Sequence, residues 1–90
     1  SGFTQSVYRN YGCSIPRTSR AQYASAGRIV SMNELKSGDL LFYKGSGGTV
    51  NHVAIYIGNG QVVHASNKRD GIKVSSYNYR TPVRARRVMN

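Results

Sequence analysis

Two apolar runs joined by a short turn constrain the fold of this chain more than any other feature. The runs are residues 51–58 (NHVAIYIG) and 61–66 (QVVHAS), and the turn between them is Gly58-Asn59-Gly60. Glycine and asparagine adopt the positive φ angles that tight hairpin turns require. The runs therefore predict an antiparallel β-hairpin, in which the pairing register decides which side chains share a face.

Each run carries one histidine, and imidazole rings are uncommon in apolar strands unless something pairs with them. A two-residue loop sets Ile55 opposite His64 and sends the two rings to opposite faces. A three-residue loop, a type I turn closed by a glycine in the left-handed region, sets Ala54 opposite His64 and His52 opposite Ser66. The backbone positions of the two histidines are then about 7 to 8 Å apart on one face. Only the second register predicts a shared site.

The rest of the chain predicts helices first and strands afterwards, which is an α+β architecture. An apolar spacing of four residues predicts a first helix that ends at Gly12, and a second helix begins after Pro16, is capped by Thr18 or Ser19 and ends at Gly27. We expect one domain over 1–90, with the N-terminal helices packed on an antiparallel sheet of about five strands. The predicted strands are Leu40 to Tyr43, His52 to Ile57, Gln61 to Ser66, Ile72 to Ser75 and Val83 to Val88. The predicted core face of the hairpin contains Val53, Ile55, Ile57 and Val63.

Five segments of the chain, in this order, together resemble the NlpC family of papain-like bacterial cell-wall cysteine endopeptidases. They are 1–8 (SGFTQSVY), 15–20 (IPRTSR), 35–42 (LKSGDLLF), 51–58 (NHVAIYIG) and 63–65 (VHA). The resemblance implies a papain-like fold with a curled sheet. It also implies hydrolysis of the peptide stem of peptidoglycan, commonly between D-glutamate and the following diamino acid, by a secreted or wall-associated bacterial protein.

The same resemblance assigns roles to individual residues. In the family the nucleophile is the cysteine of an Asp-Cys-Ser-Gly-Phe segment, so we expect a cysteine immediately before Ser1 and a domain that lacks its N-terminal segment in this sequence. Modification, cleavage, mutation or truncation would each explain why that cysteine is not among the residues. His52 is implied as the general base and acid, and His64 as the ring that orients it. Ser1 and Arg17 are implied as stem contacts, with helix capping and simple solvation as their alternatives.

Two other residues with reactive side chains are interpreted as structural. Cys13 is the only cysteine, and it lies in a predicted loop where no helix N-terminus or neighbouring base lowers its pKa. We therefore expect it to be a small, partly buried hydrophobic residue and not the nucleophile. Asp39 follows a turn glycine and precedes a strand, a position from which a carboxylate commonly accepts backbone N–H groups.

The charge of the chain argues for an anionic partner. Thirteen Lys and Arg residues against three acids give a net charge of +10, which suits anionic cell-wall polymers and, as an alternative function, nucleic acid. The residues lack the aromatic and glycine pattern of an RNA-binding sheet, and Arg84, Arg86 and Arg87 are expected on a solvated strand edge. We expect no cofactor, no metal site, no membrane span and a monomer. A further alternative is an inactive wall-binding fragment, although retention of both histidines disfavours it.

Overall fold

The computed structural model describes residues 2–65 and 71–88, and in these it shows two helices and a sheet of six antiparallel strands. The helices are α1 (Gly2–Arg9) and α2 (Ser19–Ser25), and a single 3-10 turn covers Met32–Glu34. The strands are β1 (Arg28–Val30), β2 (Leu40–Lys44), β3 (Val50–Gly58), β4 (Gln61–Ala65), β5 (Ile72–Ser76) and β6 (Pro82–Arg87). Their spatial order is β1-β6-β2-β3-β4-β5. The predicted α+β class is confirmed, while the count of about five strands is wrong by the short strand β1.

The ends of the helices follow from local side chains and turn geometry. Helix α1 ends at Arg9, before Gly12. Thr18 is the N-cap of α2, and its hydroxyl accepts a hydrogen bond from the backbone N–H of Ala21 at 3.1 Å. Gly27 follows α2 with φ +58, and a Cβ at this position would lie 2.1 Å from the backbone oxygen of Arg87. The turn between α2 and β1 lies so close to strand β6 that only glycine can occupy position 27.

The hairpin has the register that brings the histidines to one face, but it reaches that register by a different route from the predicted one. Asn59 and Gly60 both have positive φ, and Gly58 pairs with Gln61, so the turn itself has two residues. A bulge between Tyr56 and Gly58 then shifts the pairing by one residue, so that Ile55 pairs with Val63. This is the register that sets Ala54 opposite His64. The expected partner of His52, Ser66, lies outside the described residues.

Apolar side chains pack on both faces of the sheet. The helix-side cluster is Tyr8, Ile15, Ala26, Leu40, Phe42, Val50, Val53 and Ile55. The opposite cluster is Leu41, Tyr43, Ala54, Val62 and Ala85. Val53 and Ile55 are buried as predicted and Val63 is partly buried against the helix-side cluster, but Ile57 is 43% exposed in the wall of a groove beside α1. The prediction that Ile57 belongs to the core is therefore wrong, because the groove leaves this side of its strand open to solvent.

The arginines of β6 do not lie on a solvated edge, since β6 pairs with both β1 and β2 inside the sheet. Arg86 is 8% exposed and donates to backbone carbonyls at the end of α2. Arg87 donates to both carboxylate oxygens of Asp39 at 2.8 Å. Asp39 also accepts the backbone N–H of Lys36 at 2.9 Å, as its predicted structural role requires. The prediction of a solvated edge for these arginines is wrong because their carbonyl and carboxylate partners come from distant parts of the chain.

Candidate active site

The two histidines predicted to share a face meet at the centre of the candidate site. Nε2 of His52 lies 2.8 Å from Nδ1 of His64, and the ring centroids are 4.9 Å apart with the ring planes at 79°. His64 is 2% exposed, whereas His52 is half-buried. The edge-to-face geometry directs a nitrogen of one ring at a nitrogen of the other, so the pair is joined by one hydrogen bond.

Side chains that the sequence analysis did not single out complete the surroundings of the pair. Ser75 on β5 places Oγ 3.0 Å from Nε2 of His64. The ring of Tyr79, in the turn between β5 and β6, stacks on His64 with centroids 5.0 Å apart. Tyr43 pairs directly opposite His52 in the β2–β3 ladder, and its ring lies 6.0 Å from that histidine. His64 is thus held on one side by a hydroxyl and on a face by an aromatic ring.

Arg80 places a cation beside this group of rings. One guanidinium nitrogen donates to the backbone oxygen of Lys44 at 2.7 Å and to Oδ1 of Asn51 at 3.0 Å. The guanidinium carbon lies 5.6 Å from the centre of the Tyr43 ring, which is within the range of a cation–π contact. The contacts to Lys44 and Asn51 hold the positive charge beside the residue that precedes His52.

Burial and nearby cations both keep the imidazoles neutral. Burial, together with the neighbouring His64 and Arg80, lowers the pKa of His52 from 6.5 to about 4. Burial lowers the pKa of His64 as well, with Lys73 and Arg80 adding to the effect. Burial raises the pKa of the Tyr43 hydroxyl, which donates to the backbone oxygen of Tyr77 at 2.6 Å. At neutral pH the site is therefore a pair of uncharged, partly dehydrated rings.

The other predicted site residues lie elsewhere or outside the described residues. Arg17 is exposed just before α2, so its side chain is accessible to solvent. Ser1 lies outside the described residues. Cys13 is half-buried against the helix-side core, with Sγ 3.9 Å from the backbone oxygen of Tyr11. Within 2–65 and 71–88 no group of three His, Cys, Asp or Glu side chains is placed to hold a metal ion.

The chemistry open to the pair is proton transfer. The hydrogen bond to His64 engages Nε2 of His52, so Nδ1 is the nitrogen of this ring that can exchange a proton with a reacting group. Nucleophilic hydrolases activate a hydroxyl or thiol with a base whose orientation and tautomer are fixed by a third group. An imidazole joined to a second ring at 2.8 Å has a geometry suited to proton transfer of this kind.

Comparisons with known proteins give the chain a family context. The sequence model of the NlpC/P60 family matches residues 1–88. A probable endopeptidase p60 from Listeria innocua is 51% identical over 74 residues, which cover 81% of this chain and 15% of that protein. The murein DD-endopeptidase MepS/murein LD-carboxypeptidase of Escherichia coli K12 is 43% identical over 79 residues, 87% of this chain and 40% of that protein. A crystal structure of an NlpC/P60 family protein from Bacillus cereus superposes with a TM-score of 0.89 at 32% identity, over 98% of this chain and 30% of that one.

The chain spans less than half the length of these relatives, from 15% of the p60 protein to 40% of the murein endopeptidase. None of the helices in the described part of the chain has the length and apolar character needed to cross a membrane.

Proposed function

This chain belongs to the NlpC/P60 family, and on that premise we propose that it is the peptidase domain of a cysteine endopeptidase that cuts the stem peptide of peptidoglycan. The observation that carries the proposal is the hydrogen bond between His52 and His64. Relatives whose names describe endopeptidases of this family, one of them acting on murein, support a cell-wall hydrolase. The bond proposed for cleavage is the one between D-glutamate and the following diamino acid.

The proposed nucleophile is a cysteine bonded to Ser1. It would lie at the start of α1, which begins at Gly2 and packs against β3 and β4, the two strands that carry the histidines. The unsatisfied N–H groups of a helix N-terminus and a nearby imidazolium both favour a thiolate over a thiol. The backbone amide of the cysteine would then help to stabilise the tetrahedral oxyanion.

In the proposed mechanism Nδ1 of His52 takes the proton of the thiol. The thiolate attacks the peptide carbonyl carbon, and the protonated His52 returns the proton to the leaving amine as the acyl-enzyme forms. Water then attacks the thioester, with His52 again acting as the base. The low pKa of His52, about 4 in the described chain, rises when an adjacent thiolate stabilises the imidazolium, so an ion pair at neutral pH is compatible with this geometry.

The substrate contacts proposed from the family resemblance are Ser1 and Arg17. The exposed guanidinium of Arg17 is suited to a bidentate pair with a free carboxylate of the stem. The net charge of +10 favours accumulation on the anionic polymers of a bacterial wall, in keeping with a secreted or wall-associated protein. We propose a monomer without a bound cofactor.

Two measurements on the purified protein test the proposal. The intact mass and the residue bonded to Ser1 are determined first, and digestion of purified peptidoglycan is then followed with and without a thiol alkylator. We expect a cysteine before Ser1 and stem fragments whose masses end at D-glutamate, with release abolished by alkylation. Fragments cut between two D-amino acids would overturn the proposed bond, and release unaffected by alkylation would overturn the cysteine mechanism. Binding to the wall without cleavage would show an inactive module.

A further inference from the structure

Both ring nitrogens of His64 are engaged by other side chains. Nδ1 lies 2.8 Å from Nε2 of His52, and Nε2 lies 3.0 Å from Oγ of Ser75. Because only 2% of His64 is exposed, solvent does not readily substitute for either partner. The tautomer of His64 is therefore coupled to both contacts, and that of His52 is coupled to His64.

Two arrangements of protons satisfy these contacts while both rings are neutral. In the first, Nε2–H of His52 donates to Nδ1 of His64, and Nε2–H of His64 donates to the Ser75 oxygen. In the second, both bonds are reversed, with the Ser75 hydroxyl donating to Nε2 of His64 and Nδ1–H of His64 donating to Nε2 of His52. The first leaves Nδ1 of His52 without a proton, whereas the second places one there. Only the first arrangement allows His52 to act as a base through Nδ1.

Protonation of His52 selects the same arrangement. An imidazolium carries N–H on both nitrogens, so its Nε2 must donate to Nδ1 of His64. His64 then has to carry its own proton on Nε2, where the ring is almost fully buried. A buried N–H without an acceptor is strongly disfavoured. The acceptor at that position is the hydroxyl oxygen of Ser75.

We propose that Ser75 is a positioning residue that accepts Nε2–H of His64 and thereby leaves Nδ1 of His52 free to take the proton of the nucleophile. Its effect on catalysis rests on the proposed function, while its effect on the tautomers rests on the hydrogen bonds alone. The β4–β5 register supports the assignment. Lys73 pairs with His64 and Ser75 pairs with Val62, so Ser75 is the diagonal neighbour of His64 on the same face.

Nuclear magnetic resonance tests the tautomer directly and without substrate. In the 15N-labelled protein at neutral pH, two-bond proton–nitrogen correlations identify which nitrogen of each ring is protonated. We expect Nε2–H on both rings of the unaltered protein and in Ser75→Thr, which keeps the hydroxyl. In Ser75→Ala we expect a mixture that includes Nδ1–H at His64. Nδ1–H at His64 in the unaltered protein, or an unchanged tautomer in Ser75→Ala, would overturn the proposal.

Kinetics on the protein that carries the residue before Ser1 tests the catalytic consequence. We expect Ser75→Ala to lower kcat about tenfold with little change in KM, because the lost hydrogen bond acts on the base and not on the substrate. Ser75→Thr is expected to restore most of the rate. The matched control is Ser76→Ala on the same strand, where the exposed hydroxyl bonds to Asn78 and the rate should not change. An equal kcat in Ser75→Ala and Ser76→Ala would overturn the catalytic role, whereas an inactive parent protein would refute the proposed function and leave the tautomer result standing.

Discussion

Replacement of Arg86 by methionine should destabilise the fold more than the same replacement of Arg84 on the same strand. The guanidinium donates to four carbonyl oxygens at the end of α2 and in the following turn: Tyr23 at 2.6 Å, Ala24 at 2.9 Å, Gly27 at 3.1 Å and Ala26 at 3.4 Å. These carbonyls include groups that a helix C-terminus leaves without partners, so the arginine acts as a cap delivered by a distant strand.

The magnitude follows from these contacts. A hydrogen bond to a charged group contributes about 1.5 to 3 kcal/mol to stability. Three of the four donor–acceptor distances lie within the normal range for a hydrogen bond, and the bond to Ala26 is longer. The contributions overlap because one guanidinium makes all of them, and relief of its desolvation offsets part of the loss. We expect Arg86→Met to lower the free energy of unfolding by about 3 to 4 kcal/mol, which corresponds to a fall in Tm of about 12 to 30 °C for a domain of this size.

Urea unfolding followed by circular dichroism measures the effect, with Arg84→Met as the matched control. Arg84 lies two residues earlier on the same strand, and its guanidinium stacks on the ring of Tyr23 at 4.1 Å with one bond of 3.3 Å to the carbonyl of that residue. This variant should lose about 1 kcal/mol. Equal losses in the two variants would refute the reasoning, since they would mean that Arg86 is solvated like an ordinary surface cation.

Three further predictions concern the turn after α2 and the histidine pair. Gly27→Ala should lower the free energy of unfolding in urea by at least about 3 kcal/mol, because a Cβ would lie 2.1 Å from the Arg87 carbonyl oxygen at a φ of +58. In the control Gly47→Ala, a Cβ would have nothing within 4 Å, and the free energy of unfolding should change by no more than about 0.5 kcal/mol. Arg80→Gln should raise the pKa of His52 above about 4, because it removes a cation that opposes protonation; a titration followed by nuclear magnetic resonance checks this, and an unchanged pKa would contradict it. In the 90-residue chain, where no thiolate raises the pKa of His52, the unfolding free energy should fall as the pH drops from about 6.5 to about 4, because the unfolded chain then binds a proton at His52 that the folded chain rejects. His52→Gln should reduce this dependence, and an undiminished slope in that variant would count against the assignment.

The meeting of the histidines could be predicted from sequence because it depends on local features. Strand alternation and the Gly-Asn-Gly turn restrict the hairpin to two registers, and two imidazoles in apolar runs favour the one that pairs them. The turn type could not be predicted, because the bulge between Tyr56 and Gly58 shifts the register by a backbone distortion that has no signal in the sequence. The register that pairs the histidines is therefore confirmed, whereas the three-residue loop predicted to produce it is wrong.

The remainder of the site depends on contacts between distant segments. Ser75, Tyr79 and Arg80 come from β5 and the turn after it. Strand β4 ends at Ala65 and β5 begins at Ile72, a separation in sequence from which turn chemistry does not set the register. The sequence wrongly predicts a solvated position for Arg86, because a charged residue is usually exposed and its carbonyl partners lie about sixty positions earlier in the chain. Strand β1 gives no clear sequence signal, because it has three residues and two of them are exposed.

The most direct test of the account is the rate at which His52→Ala releases stem fragments from purified peptidoglycan, compared with the unaltered protein that carries the residue before Ser1. Removal of a catalytic base from a nucleophilic hydrolase lowers kcat by about a thousandfold or more. We predict a loss of that size, with the unfolding transition at neutral pH largely preserved. A folded His52→Ala variant that retains more than about a tenth of the rate would contradict the central claim that this imidazole activates the nucleophile.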